Sequence, residues 1–314
     1  MKYKVFIDGQ EGTTGLKIRK RFQERRDLEL LPISEKDRKN IEVRLERMKE
    51  ADITFLCLPD AASREIILKA DESMRILDTS TAHRTNDKWV YGLPELCKGQ
   101  RDRIKSSNRV AVPGCHATGF IVLTKPLIAL GIAEKDYPFT CQSITGYSGG
   151  GKNMISQYDS ADRSEALKSP RLYGLTQQHK HLPEMTAITG IDYPPVFNPT
   201  VADYFSGMLV TVPLHSRMLN KKMTSEALRQ EFAGYYEQQS MIRVMGIDEL
   251  PEDGFLASDD MAEKDNLQIF VMGNAERIVL AARYDNLGKG ASGAAIQCMN
   301  IMLDLPEETG LTID

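Results

Sequence analysis

Apolar and polar positions divide the chain into two stretches of different character. In the first, short apolar runs recur with helix-like segments between them: Tyr3-Lys4-Val5-Phe6-Ile7, Leu28-Glu29-Leu30-Leu31, Ile53-Thr54-Phe55-Leu56-Cys57-Leu58, Arg75-Ile76-Leu77 and Arg109-Val110-Ala111-Val112. The third run is apolar almost throughout and stops at Pro59-Asp60, as expected of a strand buried on both faces of a parallel sheet. Leu16 to Arg26 is predicted to be a helix, with Gly15, Ile18 and Phe22 along one side, and Ala61 to Ala70 a crossover helix. Alternating strands and helices predict an α/β domain with a parallel sheet. Val90 to Glu95 reads as a turn-rich segment.

The second stretch begins with an apolar segment, Phe120 to Leu130, which Pro126 is expected to kink or divide. Strands are then predicted at Phe139 to Thr145, Met208 to Val212, Leu267 to Met272 and Arg277 to Tyr284. Helices are predicted at Asn153 to Leu167, Met185 to Thr189 and Thr224 to Tyr235. Runs of strands with helices to one side suggest an α+β domain on an antiparallel or mixed sheet, whose broad apolar strands suit a subunit interface. A last helix through Leu303 is expected to return to the first domain. The predicted organisation is a domain over residues 1–115 completed by 286–314, with a second domain over 116–285.

Composition narrows the functional classes. The 314 residues are 41% hydrophobic and 27% charged with net charge −4, a balance that calls for neither nucleic acid nor an anionic membrane. The most basic run, Lys17 to Arg26, is amphipathic and reads as a solvated helix face. No apolar run is long enough to cross a bilayer, and the N-terminus lacks a signal-peptide pattern, so a cytoplasmic location is expected. The five cysteines are scattered with no C-x-x-C, which suggests neither a disulfide framework nor a cysteine zinc site.

The candidate chemistry centres on Val112-Pro113-Gly114-Cys115-His116-Ala117-Thr118-Gly119. A breaker pair followed by a helix start places the Cys115 thiol at a helix N-terminus, where unpaired N–H groups and the helix dipole favour thiolate. The alternative for Cys115 is a small buried hydrophobe. Near the N-terminus, Gly9-x-x-Gly12-Thr13-Thr14-Gly15 joins a strand to a helix, the arrangement by which dinucleotide-binding folds bring backbone up to a pyrophosphate. After the second strand, Ser34, Lys36 and Arg38 lean towards NADP, or else form an exposed polar loop with Glu35 and Asp37. A second glycine-rich helix start, Asp285-Asn286-Leu287-Gly288-Lys289-Gly290, is placed to close on the cofactor from the other side.

Histidines concentrate at Gln178-His179-Lys180-His181-Leu182-Pro183-Glu184. In an extended segment His179 and His181 would face one side, with Pro183 at a helix N1 position and Glu184 near enough to orient an imidazole. General acid/base work needs one tuned imidazole, and His181 lies nearer Pro183 and Glu184. Metal ligation would need more ligands than the sequence offers, so no metal is expected. His116 is the weaker partner for Cys115, because adjacent helical residues point about 100° apart. His83 and His215 read as structural. Ser80, Arg84 and Lys152 are candidates to meet a polar substrate, Arg84 alternatively forming a surface ion pair, and Gly146 to Lys152 reads as a mobile or ligand-facing loop.

Taken together, the glycine turn, the Ser80 to Arg84 segment, Tyr91-Gly92-Leu93-Pro94-Glu95, Pro113-Gly114-Cys115, Gly146 to Lys152, His179-x-His181-x-Pro183-Glu184 and Asp285 to Gly290 resemble the N-acetyl-gamma-glutamyl-phosphate reductases of arginine biosynthesis. The likeness is closer to the shorter of that family's two types. It implies a Rossmann-type dinucleotide-binding domain plus an α+β catalytic and dimerisation domain of the semialdehyde dehydrogenase type. It also implies NADPH-dependent reduction of an acyl phosphate to an aldehyde by a homodimer or homotetramer, with Cys115 as nucleophile and His181 as acid/base. Arg84, Glu184 and Lys152 are the expected substrate-binding residues. The family commonly has Asn-Pro-Gly-Cys-Tyr-Pro-Thr where this chain has Val112-Pro113-Gly114-Cys115-His116-Ala117-Thr118. Rival readings are a reductase of the same mechanism acting on aspartyl phosphate or an aminoadipyl analogue, a cysteine hydrolase, and a nucleotide-sensing regulator.

Overall fold

A computed structural model describes residues 2–314, in two compact units. One runs to Gly114 and includes Ala291–Leu311; the other comprises Cys115–Gly290 and Thr312–Asp314. The second crossing thus falls after Gly290 rather than at 286. Asp285 to Gly290 stay with the second unit because the N–H groups of Gly288 and Gly290 donate to the Asp285 carbonyl, and the Asp285 carboxylate accepts from the N–H of Leu287 and of Glu263.

The first unit holds β1 (Tyr3–Asp8), β2 (Leu28–Leu30), β3 (Ile53–Leu56), β4 (Ile76–Asp78), β5 (Val90–Tyr91) and β6 (Arg109–Ala111) in one sheet, ordered β2-β1-β3-β4-β6-β5. Every pairing is parallel, as helical crossovers require. Of those helices, α1 (Thr13–Phe22) and α3 (Asp60–Ile67) match the apolar pattern; α2 (Ile41–Glu50) and α4 (Gln100–Ser106) were not predicted. Alternation along β1 separates two cores. Val5 and Ile7 pack with Ile18, Phe22, Ile104 and the chain's last helix, whereas Phe6 packs with Met48, Ile66 and Trp89. The sheet is therefore covered on both faces, which explains why β3 is apolar.

The second unit is built on a mixed sheet of seven strands: β7 (Thr140–Gly146), β8 (Arg171–Leu172), β9 (Val196–Ala202), β10 (Met208–His215), β11 (Ile242–Val244), β12 (Leu267–Gly273) and β13 (Arg277–Tyr284), ordered β11-β12-β13-β10-β7-β9-β8. Its helices are α5 (Cys115–Ala129), α6 (Gly151–Asp159), α7 (Leu182–Thr189) and α8 (Ser225–Tyr236); α9 (Gly293–Met302) is the last helix, belonging to the first unit. Helix α5 is buried over nearly its whole length and packs on β10, β13 and α7. Pro126 does not divide it. A proline lacks the N–H that would satisfy the carbonyl four residues back; here the buried Tyr236 hydroxyl donates to that carbonyl, of Val122, at 2.8 Å. Gly146 to Lys152 is not a loop either: Tyr147–Gly150 form a 3-10 turn that runs directly into α6. Helix α6 ends at Asp159, with a separate 3-10 turn at Glu165–Lys168. Among the described residues no helix is long and apolar enough to cross a membrane.

Candidate active site

Cys115 is the first residue of α5 and is half-buried, and the first turn of that helix carries no acidic residue. The thiol therefore sits at the positive end of a buried helix dipole with no carboxylate there to oppose it. The remaining cysteines are placed differently. Burial pushes the Cys57 thiol up to about 12 and also raises that of Cys141, while the buried Cys298 donates to the Gly92 carbonyl at 3.2 Å. Cys97 is exposed. On the second unit's own scaffold, Gly290 lies against Cys115: a Cβ there would come within 3.0 Å of the Cys115 Cβ. The Tyr284 hydroxyl donates to the Cys115 carbonyl and accepts from the Gly119 N–H at 3.0 Å.

Next along α5, His116 enters a histidine cluster. Its ring centroid is 5.6 Å from those of His179 and His181, and the latter two are 4.8 Å apart, edge to face. The segment before α7 is a turn, not an extended strand: His181 has helical φ and ψ, and the Leu182 N–H donates to the His179 carbonyl at 3.0 Å. The rings meet all the same. His116 thus packs within the cluster, and both its nitrogens are engaged, Nδ1 with Ser143 Oγ at 2.7 Å and Nε2 with the Tyr173 hydroxyl at 2.5 Å. Burial, reinforced by His179 and Lys180, holds its pKa down to about 3, so it is neutral at pH 7. His179 is held down to about 4, by burial and then by Lys180, and its Nδ1 accepts from the His181 N–H at 3.2 Å. Tyr173 was not expected from the sequence, since a tyrosine beside a glycine carries no motif. Burial and the nearby Cys115 charge raise its pKa, so its hydroxyl stays protonated. His181 itself is buried at the N-cap of α7, with the buried Glu184 in that helix's first turn and Pro183 at its start.

In the first unit the glycine turn has the shape that a dinucleotide needs. Gly9 has φ +87°, and a Cβ there would lie 2.3 Å from the Cys57 carbonyl oxygen, so no other residue fits. Gly15 is similarly tight, its Cβ position being 2.6 Å from the Gly9 carbonyl oxygen, which lets α1 pack on the end of β1. Gly12 is the N-cap of α1, no side chain caps the helix, and Thr13, Thr14 and Gly15 form its acid-free first turn. A pyrophosphate fits such a terminus through backbone N–H groups. Asp8, at the end of β1, would oppose an anion, but Arg44 Nε donates to its Oδ2 at 2.8 Å. Burial raises the Asp8 pKa, and the Arg44 hydrogen bond and charge pull against that rise.

Other expected site residues are spread over both units. Ser34 donates to Asp37 at 2.6 Å and Arg38 lies 3.8 Å from Glu35, all four outside the buried core. Between the glycine turn and the end of β2 is a cleft of about 220 Å³ whose lining includes Gln10 and Arg19, neither singled out from the sequence. Arg84 is buried rather than a surface ion pair, its Nε donating to the Val112 carbonyl at 2.9 Å and Nη2 to that of Thr79 at 3.0 Å. Ser80 donates to Asp78 at 2.8 Å and holds the turn after β4. Lys152 is exposed near the start of α6. Gly288 and Lys289 are buried in the second unit, in a π-helical turn before α9, and a Cβ on Gly288 would lie 2.1 Å from the Lys264 carbonyl oxygen. Among the described residues no group of three or more His, Cys, Asp or Glu could hold a metal ion.

Comparison with known proteins gives consistent results. Residues 4–107 match the family described as semialdehyde dehydrogenase, NAD binding domain, and residues 115–286 that described as semialdehyde dehydrogenase, dimerisation domain. The chain is 44% identical over 308 residues to an N-acetyl-gamma-glutamyl-phosphate reductase of Rhizobium rhizogenes, covering 96% of this chain and 99% of that protein. It is 43% identical over 320 residues to N-acetyl-gamma-glutamyl-phosphate reductase 2 of Nostoc, covering 99% of each. Among solved structures, aspartate semialdehyde dehydrogenase II of Vibrio cholerae, complexed with ASA, superposes with a TM-score of 0.73 at 17% identity, covering 97% of this chain and 99% of that one. The enzyme of Francisella tularensis gives 0.70 at 14%, covering 96% and 100%. At such identities these two establish the fold alone.

Proposed function

The chain belongs to the N-acetyl-gamma-glutamyl-phosphate reductases, within the semialdehyde dehydrogenase family, and we propose that it reduces N-acetyl-gamma-glutamyl phosphate to N-acetylglutamate semialdehyde with release of phosphate, a step of arginine biosynthesis. The single observation that carries the mechanism is a half-buried thiol at the N-terminus of a buried helix, in the same unit as a histidine cluster. The Cys115 sulfur attacks the acyl carbon, the bond from that carbon to the phosphate oxygen breaks, and phosphate leaves, so Cys115 carries a thioester. A bound reduced nicotinamide supplies the hydride that brings the thioester to the aldehyde level. His181 takes the thiol proton at the start and returns one to the oxygen of the reduced adduct or to the departing sulfur. It is preferred over its neighbours because His116 has both nitrogens engaged and His179 is committed to the His181 N–H. Glu184 orients the imidazole, and Arg84 and Lys152 take the anionic ends of the substrate.

NADP is the proposed coenzyme. Supporting it, Ser34, Lys36 and Arg38 are exposed just beyond β2, and the 3.8 Å contact of Arg38 with Glu35 is a surface pair that a 2′-phosphate can displace. Gly288 and Lys289 are proposed to close the coenzyme site. The proposed assembly is a homodimer or homotetramer through the second unit's sheet, where exposed Ile144 and Leu172 flank Thr200 in one row across β7, β9 and β8. A cytoplasmic location suits five cysteines none of which is joined in a disulfide.

The test is turnover of purified protein with N-acetyl-gamma-glutamyl phosphate and with aspartyl phosphate, each with NADPH and NADH. A preference for the first substrate with NADPH is expected. Faster reduction of aspartyl phosphate, or no reduction of either, would overturn the proposal.

A further inference from the structure

We propose that Tyr284 is a positioning residue for the nucleophile: its hydroxyl pins the first turn of α5 to β13 and so holds the Cys115 sulfur on its line of attack. This rests on Cys115 being the nucleophile, and deepens that reading by naming the group that holds it in place.

In an α-helix the N–H of residue 119 reaches back to the carbonyl of residue 115. Here the Tyr284 hydroxyl meets both of those groups, accepting from Gly119 at 3.0 Å and donating to Cys115. The hydroxyl comes from the last residue of β13, an interior strand of the second unit's sheet, where Tyr284 pairs with Met208 on one side and Leu267 on the other. Gly119 gives it room, since a Cβ there would stand 2.7 Å from the hydroxyl oxygen and 2.6 Å from Val210 Cγ2. Tyr284 is fully buried, so the position of its ring is fixed by packing. Burial and the nearby Cys115 raise its pKa well above that of a free tyrosine, so the hydroxyl remains a donor wherever the enzyme works. Gly290 also bears on Cys115, a Cβ there falling 3.0 Å from the Cys115 Cβ. A helix N-terminus frays readily when only its own bonds hold it. A nucleophile there gains from an anchor on a rigid strand, because misplacement by about 1 Å can lower a rate about a hundredfold.

The experiment uses Tyr284→Phe, which keeps the ring and removes only the hydroxyl. Steady-state kinetics should show kcat down by about tenfold or more with the KM for the acyl phosphate changed by less than about twofold. Iodoacetamide labelling of the Cys115 peptide, followed by mass spectrometry across pH, should rise at higher pH than in the unsubstituted enzyme, because the first-turn N–H groups no longer hold their aim at the thiolate. An unchanged labelling curve overturns the proposal, even if melting temperature and kcat fall together, since that pattern describes a merely structural tyrosine. Cys115→Ser measured alongside separates the two failures: if it turns over normally, the nucleophile itself is misassigned, whatever Tyr284→Phe does.

Discussion

Replacing Gly9 with alanine should damage the fold, whereas replacing Gly12 should damage coenzyme binding. At Gly9 the backbone is left-handed, which disfavours an L side chain by about 1–2 kcal/mol. The new methyl would also start 2.3 Å from the Cys57 carbonyl oxygen, backbone that directly follows a central strand, and such overpacking adds about 1–3 kcal/mol. The sum, about 2–5 kcal/mol, is a large part of the stability of a single domain. It should lower the melting temperature by roughly 5–15 °C. At Gly12, φ is −73° and a Cβ would meet nothing nearer than the Gly9 carbonyl oxygen at 3.5 Å, an ordinary contact. Gly12→Ala should therefore melt within about 3 °C of the parent, allowing for the poorer N-cap. Its methyl stands at the uncapped end of α1, where the pyrophosphate must approach, and should weaken NADPH binding about tenfold or more, about 1.4 kcal/mol. Calorimetric melting and NADPH fluorescence titration of both variants separate the effects. A Gly9→Ala protein that melts like the parent, or a Gly12→Ala protein that binds NADPH normally, would refute the reasoning.

Three further outcomes are expected. His181→Asn should lower kcat by about 10²–10⁴, the range for a general acid/base, and His179→Asn by much less; the reverse order in steady-state rates would reassign the imidazole. His116 is depressed to about 3, so between that pH and the ordinary histidine value near 6.5 only the unfolded chain binds its proton; stability is fully present above about 6.5 and is lost as pH falls. Urea unfolding at pH 5 should thus show about 2 kcal/mol less stability from His116 alone than at pH 7, and a His116→Gln protein should lack that part of the slope. Tyr236→Phe should lose about 1–3 kcal/mol, since it strips the donor from the Val122 carbonyl that Pro126 leaves without its helical partner; an unchanged urea midpoint would show that the carbonyl is satisfied otherwise.

What the sequence made legible follows from where local rules and tertiary structure agree. β3 was legible because burial on both faces leaves an unbroken apolar run, and the start of α5 because Pro113-Gly114 marks it; α1 was legible as a helix after the glycine turn but begins at Thr13, three residues before the expected Leu16. Helix α2 was not, because its buried face includes Arg44, a charge that is comfortable there only through Asp8, far away in sequence. β9 was hidden by Pro199, which breaks a strand pattern; the structure tolerates it because the neighbouring β8 is two residues long, and the Pro199 carbonyl still accepts from the Tyr173 N–H at 2.9 Å. The glycines of Gly146 to Lys152 suggested a loop. Gly146 is instead required by close packing, a Cβ there falling 2.5 Å from the Phe205 carbonyl oxygen. In the site, Cys115 and the His179 to Glu184 segment announced themselves. His116 was discounted on helical geometry, yet it joins the same cluster because His179 and His181 arrive on a turn that folds back over α5. Tyr173 and Tyr284 could be found only once strands remote in sequence had been brought to the first turn of that helix.

The central claim is that the sulfur of Cys115 carries the acyl group. The direct measurement is mass spectrometry of the protein mixed with N-acetyl-gamma-glutamyl phosphate in the absence of coenzyme. The expected result is one acyl group on the Cys115 peptide and one phosphate released per chain, with neither in Cys115→Ser. An unmodified Cys115 in a preparation that turns over normally once NADPH is added would contradict it.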